Sequence, residues 1–290
     1  MKLTNKFDLP DTFINYSKNN EYSPGSSDIT ATTMIDSPKI NLLKRKHFSE
    51  MEEDISDRIM SLLGTAVHQI LQDGAGEMDI VEERFYMDVG GTKLGGQIDL
   101  MTPVEGGYLI QDYKTTGAYS LQSNPDGKKE WEEQLNIYAA LAEENGVVAK
   151  GLEIVAIIRD WTASGKKRSK DYPEHPVVRI PIKMWDPLDR MKFIEKRISA
   201  HKQASEQTPC TPEERWARAP KFAVHKRARG SLSQRATRVF DNVNDAGSFV
   251  LSAQGDHEIV ERPGSNIRCE GNYCGVADFC TQFQHTKGEL

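Results

Sequence analysis

The sequence predicts an α/β fold with a mixed central sheet flanked by helices, followed by a C-terminal extension. Three patterns predict it: apolar residues at helical spacing over 51–73, short alternating stretches with glycine turns over 81–114, and a very apolar run over 152–159. The 290 residues suffice for one large or two modest domains. We expect an N-terminal arm, a core and an extension, over 1–50, 51–202 and 203–290.

Two helical regions are predicted before the first strand of the core. Residues 1–50 are polar and interrupted by prolines, so we expect an arm with short helices, one over 30–43 and entered near Pro38. Residues 51–73 form a stronger helix, which Gly74 ends. We expect its apolar stripe to be buried and His68 to project from another face; the stripe comprises Ile55, Ile59, Leu63, Ala66 and Ile70.

The residues after this helix have the alternation and turns of an antiparallel meander. Glycine pairs at 90–91 and 106–107 supply its short connections. The apolar run that comes later is typical of a central strand. The expected strands are 81–89, 93–101, 108–114, 152–159 and 177–182, and the expected helices are 129–145 and 184–202.

Composition excludes several classes of protein. No apolar run approaches the roughly 18 residues that would span a bilayer, and the residues after Met1 are polar, so we expect no signal peptide and a cytoplasmic location. The net charge of -6 argues against a passive coat for nucleic acid. It is compatible with an enzyme whose acidic metal ligands add negative charge while basic residues cluster elsewhere.

Three polar motifs in the core have the chemistry of a metal site. Asp112 and Lys114 are two apart on a strand and share a face, and Asp99 follows two glycines near the end of the preceding strand. Carboxylates bind Mg²⁺ or Mn²⁺, imidazole suits Mn²⁺, and the lysine can orient water or offset developing charge. We therefore expect His68, Asp99, Asp112 and the carbonyl of Tyr113 around a divalent ion.

Each of these residues also has a simpler interpretation when it is taken alone. Asp99 would then be a turn residue, and Asp112 with Lys114 a surface ion pair. The combination favours the site. Three weaker candidates accompany it: Gln134 and Tyr138, which share a helix face and either support the site or join the core, and Glu83 as a nearby acid.

Four cysteines lie in the extension, at 210, 269, 274 and 280, three of them within the last 22 residues. A cytosolic protein rarely uses such a cluster for disulfides. Iron–sulfur ligation, a structural Zn²⁺ site and free thiols remain as alternatives. A bound metal would tie the charge-rich extension together.

The motifs Gly64-x-x-x-His68, Gly95-Gly96-Gln97-Ile98-Asp99, Asp112-Tyr113-Lys114 and Gln134-x-x-x-Tyr138 occur in that order. The set resembles the PD-(D/E)XK nuclease superfamily, in particular its RecB-like exonuclease branch. The resemblance implies a restriction-endonuclease-like core and metal-dependent DNA cleavage. It also implies roles: His68, Asp99 and Asp112 as metal ligands, Lys114 as the catalytic lysine, and Gln134 and Tyr138 as support on the substrate side.

The cysteine trio resembles iron–sulfur nucleases of this branch, of the AddB and CRISPR-associated types. That resemblance implies a 4Fe-4S cluster on Cys210, Cys269, Cys274 and Cys280, with structural Zn²⁺ as the alternative. The chain departs from the pattern twice, because the first gap of the trio is longer and Cys210 follows the core.

We therefore expect an exonuclease that hydrolyses single-stranded DNA or duplex ends in recombination, repair or degradation, in a phage or mobile-element setting. The chain has no P-loop, so a helicase or recombination partner would supply any unwinding. The alternatives are a catalytically silent DNA-binding subunit of a larger complex, and an RNA-directed or nucleotide hydrolase. A basic stretch, otherwise a solvated loop, is expected to bind DNA: Lys221, Lys226, Arg227, Arg229, Arg235 and Arg238.

Overall fold

The computed structural model describes residues 1–19, 23–228 and 230–287. The chain forms two compact units, Met1–Asn41 with Phe48–Ala204, and Leu42–His47 with Ser205–Leu290. Among the described residues, no helix is both long enough and apolar enough to cross a membrane.

The first unit contains a six-stranded mixed sheet and most of the helices. Its elements are β1 (Lys2–Thr4), α1 (Asp11–Asn19), β2 (Ile29–Thr30), α2 (Ala31–Ile35), α3 (Pro38–Lys46, which ends in the second unit), β3 (Glu52–Asp54), α4 (Ile59–Asp73), β4 (Ile80–Asp88), β5 (Lys93–Val104), β6 (Gly107–Thr116), α5 (Ala118–Ser123), α6 (Lys129–Glu144), β7 (Ala149–Ile158), α7 (Ala163–Arg168), β8 (Val177–Ile182) and α8 (Pro187–Gln203).

The sheet runs in the order β2-β5-β6-β7-β8, with β4 paired to the other edge of β5. The pairs β4–β5 and β5–β6 are antiparallel, as the meander predicts, and β7–β8 is antiparallel too. The pair β6–β7 is parallel because α5 and α6 connect those strands. β7 lies between β6 and β8, which confirms the central position expected from its apolar run.

A gap in the sheet positions the functional groups described below. β5 uses one edge for two partners, β2 at Leu94 and Gly95, and β6 from Leu100 onward. Between these contacts the edge of β5 has no strand paired to it among the described residues. Strands β5 and β6 therefore diverge along this part of β5. Side chains and backbone groups of both strands face the opening between them.

Helix α6 packs across the sheet and is buried along most of its length. It approaches β5 closely at Gly96, where a Cβ would come within 2.7 Å of Leu141 Cδ1 and 2.9 Å of Tyr138 Cε1. Only glycine allows this approach, which brings Gln134 and Tyr138 down to the sheet.

Helix α4 differs from its prediction in two respects. Residues 52–58 form β3 and a 3₁₀ turn, so the helix begins at Ile59, and none of its residues is fully buried. Of the predicted apolar stripe, Ile55 in the 3₁₀ turn is buried as expected, but the part on the helix points outward, with Leu63 46% and Ile70 69% exposed. The opposite face of the helix, with Gly64 and His68, meets the sheet instead. The sheet presents polar groups there, the Tyr113 carbonyl and the Thr115 hydroxyl, and these contact a polar helix face.

The arm also differs in detail. One helix was expected over 30–43, but Thr30 belongs to β2 and the helical residues divide into α2 and α3. The break falls at Asp36 and Ser37, since a residue before proline avoids the helical region and Pro38 suits a first turn.

The second unit has regular structure where the sequence suggested mainly loops. It contains β9 (Ala217–Arg218), β10 (Lys221–Ala228), β11 (Ser231–Leu232), β12 (Arg238–Phe240), α9 (Val243–Ser252), β13 (His257–Arg262), β14 (Ser265–Asn266), α10 (Ile267–Glu270) and α11 (Thr281–Lys287). β10 is the central strand, paired with β11, β12 and β13, and α9 packs on this sheet. Its small core includes Ala223, Val224 and Ala246, all with no exposed surface.

Candidate active site

One cleft of the first unit, about 780 Å³ in volume, gathers the polar residues of all four motifs. Helices α4 and α6 and strands β5 and β6 supply its walls. All seven of the expected core-site residues line it: His68, Asp99, Asp112, Tyr113, Lys114, Gln134 and Tyr138. Groups that lie far apart in the sequence therefore face one volume.

The gap in the sheet brings the two aspartates together. Pairing between β5 and β6 ends at Leu100 and Gln111, and the next residues on the diverging strands are Asp99 and Asp112. Asp99 Oδ2 accepts a 2.8 Å hydrogen bond from the N–H of Tyr113, so its side chain bridges the gap. Asp99 was expected near a strand end, which is wrong: β5 continues to Val104, and only its pairing with β6 stops there.

The imidazole of His68 is oriented by the backbone of Tyr113. Its Nε2 lies 3.1 Å from the Tyr113 carbonyl oxygen, and a carbonyl can only accept, so Nε2 carries a proton. Nδ1 then faces the carboxylates, 3.5 Å from Asp99 Oδ2 and 3.8 Å from Glu82 Oε1. Glu82, and then Asp99 and Asp112, raise the pKa of His68 against the opposing effect of burial.

Gln134 links the groups on the other side of the cleft. Its Oε1 accepts a 3.0 Å hydrogen bond from Lys114 Nζ, while Nε2 donates to Asp112 Oδ1 at 3.1 Å and to the Tyr138 hydroxyl at 2.8 Å. An ammonium only donates and a carboxylate only accepts, so a side-chain amide is the group that can bind both at once. The network fixes Lys114 against Asp112, with 2.6 Å between Nζ and Oδ2.

The carboxylates of the cleft are buried without enough positive charge to balance them. The Asp112 side chain is 2% exposed, and its Oδ2 accepts no well-directed hydrogen bond from the described residues although Lys114 lies beside it. Burial, and next the negative charge of Asp112, raise the pKa of Asp99 to about 7. A divalent cation at these oxygens would favour the ionised form of Asp99.

The ligand atoms of His68, Glu82 and Asp99 all lie within 4.8 Å of one another. One imidazole nitrogen and several carboxylate oxygens are a donor set that suits Mn²⁺ and is acceptable to Mg²⁺. The residues present therefore fit the divalent ion that the motifs predict.

Glu82 is the member of this group that the sequence pattern did not predict. The pattern indicated the neighbouring acid, Glu83, instead. Glu83 is exposed, whereas Glu82 lines the cleft and accepts a 2.7 Å hydrogen bond from Gln97. Glu82 has a φ of 52°, a left-handed conformation that costs a non-glycine residue about 1–2 kcal/mol. Such strain is concentrated at functional sites, and here it occurs where the carboxylate faces His68.

We expect Glu82→Gln to weaken Mn²⁺ binding by roughly 10- to 100-fold, the usual effect of removing a group that binds or orients at a metal site. Titration of cleavage activity against Mn²⁺ concentration measures the change. Glu83→Gln is a matched control that removes the same charge one residue away, on an exposed side chain. Equal Mn²⁺ requirements for the two variants would exclude Glu82 from the site.

The remaining predicted residues lie in the second unit. The basic stretch largely coincides with β10, where Lys221 pairs with Asp241, and Arg227 with Glu258 and Asp256. Arg229 lies outside the described residues. Three further members are exposed: Lys226 in β10, Arg235 in the loop before β12, and Arg238 at the start of β12.

Three of the four cysteines are buried, Cys210, Cys274 and Cys280, and Cys269 is half-buried. Burial, and then the neighbouring Cys274 and Cys280, raise the pKa of Cys269. Gln282 exchanges hydrogen bonds of 2.8 and 3.3 Å with the backbone of Cys210. These contacts hold Cys210 beside α11, whose chain follows directly after Cys280.

The cleft thus combines a gap in a mixed sheet, two aspartates that face each other across it and a lysine held on one of them, as the four motifs predict. Residues 37–281 match the family model of the PD-(D/E)XK nuclease superfamily. The chain belongs to this superfamily, and membership implies nuclease activity on DNA. The mixed sheet flanked by helices agrees with the restriction-endonuclease-like fold predicted from the sequence.

Two solved structures are similar to the chain. The crystal structure of SSO0001 shares 16% identity, covering 67% of this chain and 84% of that chain, with a TM-score of 0.44. The phage-related exonuclease from Haemophilus somnus 129PT shares 12% identity, covering 66% of this chain and 77% of that chain, with a TM-score of 0.29. Similarity this low does not define the activity of the chain. Comparison with curated proteins finds no significant match.

Proposed function

We propose that the protein is a metal-dependent deoxyribonuclease of the RecB-like branch, and an exonuclease that acts on single-stranded DNA or duplex ends. One observation carries the proposal: the buried Asp112 carboxylate, held with Lys114 by Gln134, faces the same cleft as His68 and Asp99. The exonuclease mode is what the resemblance to the RecB-like exonuclease branch implies.

His68 Nδ1 and the carboxylates of Asp99 and Asp112 would hold the ion, with Glu82 as a further oxygen donor. The Tyr113 carbonyl, expected among the ligands, instead accepts from His68 Nε2–H on the other edge of the ring. A bound Mg²⁺ or Mn²⁺ supplies Lewis acidity, which lowers the pKa of water and offsets charge on a phosphodiester. His68 is oriented for this by the Tyr113 carbonyl, since Nε2–H is already engaged there. Its Nδ1 must lose any proton before it can bind the ion.

Lys114 is the residue that acts on the substrate in this proposal. Its Nζ is bound on one side by Asp112 and Gln134, which leaves one of its three N–H groups to contact a water or a phosphate oxygen in the cleft. Tyr138 and Gln134 position this ammonium, because the amide of Gln134 is itself held by the Tyr138 hydroxyl. Preorganised positive charge of this kind stabilises the negative charge that develops during phosphodiester hydrolysis.

The cysteines of the second unit hold a 4Fe-4S cluster in this proposal, with structural Zn²⁺ as the alternative. In support, the three thiols of the trio are buried or half-buried, and Arg215 and Arg268 lie close enough to lower the pKa of Cys269 against burial. A thiolate binds metal and a thiol does not. Nearby guanidinium groups therefore favour the form that ligates iron.

We expect protein purified without oxygen to contain iron and sulfide, and Cys274→Ser to lose both together with a large part of its thermal stability. Iron and sulfide assays, visible absorbance and a melting curve measure this. Thr286→Ala, on α11 in the same unit, is a control that leaves all four thiols in place. Stoichiometric zinc without iron would show a structural Zn²⁺ site in place of the 4Fe-4S cluster. A parent protein that contains neither metal and is no more stable than Cys274→Ser would contradict both.

The basic residues Lys221, Lys226, Arg227, Arg235 and Arg238, with Arg229, contribute to DNA binding in this proposal. Such a nuclease would serve recombination, repair or degradation of DNA in the cytoplasm, with a helicase or recombination partner where strands must be separated.

Cleavage of linear and circular DNA in Mn²⁺ tests the proposal. An exonuclease degrades linear single-stranded DNA and leaves a closed single-stranded circle of the same sequence intact, and RNA of that sequence competes poorly. Cleavage of the circle would contradict the exonuclease mode. DNA binding with no cleavage of any substrate, in protein of confirmed metal content, would contradict the enzymatic function itself.

A further inference from the structure

The second unit exposes two aromatic rings beside each other. Trp216 is 48% exposed and Tyr273 63% exposed, and their ring centroids lie 5.3 Å apart with 51° between the planes. Isolated exposed aromatic residues are ordinary. A contacting pair of exposed rings is different, because large apolar faces in contact with water are usually retained for binding.

The backbone is built to keep both rings at the surface. Trp216 has a φ of 52°, in the left-handed region that a bulky residue adopts only under constraint. Its N–H is bound to the carbonyl of Glu213 at 3.0 Å, which closes this turn. Beneath Tyr273 lies Gly271, where a Cβ would come within 2.8 Å of Tyr273 Cε2. A side chain at that position would displace the Tyr273 ring.

A guanidinium completes the surface. Arg268 Cζ lies 5.5 Å from the centroid of the Trp216 ring, within the range of a cation–π contact. Its Nη1 donates to the carbonyl of Glu214 at 3.3 Å, which holds it in place. We call Trp216, Tyr273 and Arg268 the aromatic platform.

The charge around the platform is balanced. Within five residues of Trp216 or Tyr273 in the sequence, four basic and four acidic residues occur: Arg215, Arg218, Lys221, Arg268, Glu213, Glu214, Glu270 and Asp278. Attraction to phosphates is therefore weak here, and the ring faces are the main binding groups. Flat rings with an arginine are the means by which proteins hold unpaired bases irrespective of sequence.

We propose that the aromatic platform stacks on bases of single-stranded DNA. The inference rests on the proposed function, in which single-stranded DNA is the substrate. Duplex DNA hides its base faces inside the stack, so the platform selects single strands or frayed ends. Because stacking dominates, the contribution of the platform to binding depends little on salt, in contrast to contacts with phosphates.

Binding without cleavage tests this directly. Full-length protein in EDTA is titrated into fluorescein-labelled single-stranded oligothymidylate, and separately into a duplex of equal length, with anisotropy as the readout. The double variant Trp216→Ala with Tyr273→Ala is expected to bind the single strand roughly 5- to 100-fold more weakly. Its affinity for the duplex should fall less. Leu251→Ala, another exposed apolar residue of the same unit, is the control and should bind as the parent does.

A conservative variant keeps the test valid if the double variant does not fold. Trp216 is the most exposed of the four tryptophans, so stacked thymines should quench the fluorescence of the parent. Trp216→Phe should bind DNA within a few-fold of the parent and lose most of that quenching.

Unchanged single-strand affinity in the double variant, or quenching that survives in Trp216→Phe, would overturn the proposal and leave a protein partner as the occupant of the platform. The result is independent of catalysis. Binding with quenching in a protein that cannot cleave DNA would refute the proposed function alone, and cleavage without quenching would refute the platform alone.

Discussion

Asp112→Asn is expected to reduce DNA cleavage in Mn²⁺ by about 10²- to 10⁴-fold, with little change in fold. A metal ligand contributes several kcal/mol to the stability of the transition state, and each 1.4 kcal/mol or so is tenfold in rate. The amide of the variant would present either a neutral oxygen or an N–H to Lys114, so both the ligand and the ion pair at 2.6 Å are lost. Single-turnover cleavage of end-labelled DNA measures the effect.

The fold should survive this substitution because Asp112 is a source of unbalanced charge. Its Oδ2 already lacks a well-directed hydrogen bond, and the Lys114 side chain is 25% exposed and can turn to solvent. Glu105→Gln, in the exposed turn between β5 and β6, removes an equal charge outside the cleft and should leave cleavage unchanged. Full activity of Asp112→Asn would remove this residue from the site.

Asp99→Asn is expected to abolish cleavage and also to stabilise the metal-free protein at neutral and alkaline pH. The folded state raises the pKa of Asp99 from 3.8 to about 7. Between these values the folded protein binds more protons than the unfolded chain, so the free energy of unfolding falls as pH rises. At about 1.4 kcal/mol per pKa unit, the loss is at most about 4 kcal/mol and is complete above pH 7 or so.

His68 contributes with the same sign, since its pKa is also raised and its stabilisation is lost as pH increases. The parent in EDTA should therefore melt at a lower temperature at pH 8 than at pH 5. Asp99→Asn should exceed the parent by roughly 5–10 °C at pH 8 and match it near pH 4. Mn²⁺ should stabilise the parent at pH 8 and leave the variant unchanged.

Melting curves of both proteins across this pH range, with EDTA and with Mn²⁺, measure the difference. Glu105→Gln again serves as the control and should follow the parent at every pH. If the parent and Asp99→Asn melt at the same temperature at every pH, burial of the Asp99 carboxylate does not lower the stability of the protein. The cleft would then not be deficient in positive charge.

The strands of the core could be predicted because their signals are local. Alternation and glycine turns fixed β4, β5 and β6 to within a few residues, and the apolar run identified β7. Strand periodicity also placed Asp112 and Lys114 on one face, which the cleft confirms. The order of the motifs then implied the rest of the site, since His68 and Gln134 come from helices that flank these strands.

The errors concern properties that depend on tertiary structure. Periodicity shows that α4 has an apolar face, but the face that meets the sheet is chosen by the polar groups at the gap, so Leu63 and Ile70 are exposed. The position of Glu82 depends on a positive φ that glutamate does not signal. In the second unit, the charges of β10 obscured the alternation of Phe222 and Val224, which pack within a small sheet.

The central claim is that the cleft hydrolyses DNA with Lys114 as a catalytic residue. The most direct test is degradation of end-labelled single- and double-stranded DNA in Mn²⁺ by anaerobically purified protein, compared with Lys114→Ala. We expect the parent to degrade DNA from its ends, and the variant to bind DNA but cleave it at least about 100-fold more slowly. A Lys114→Ala protein as active as the parent would contradict this claim.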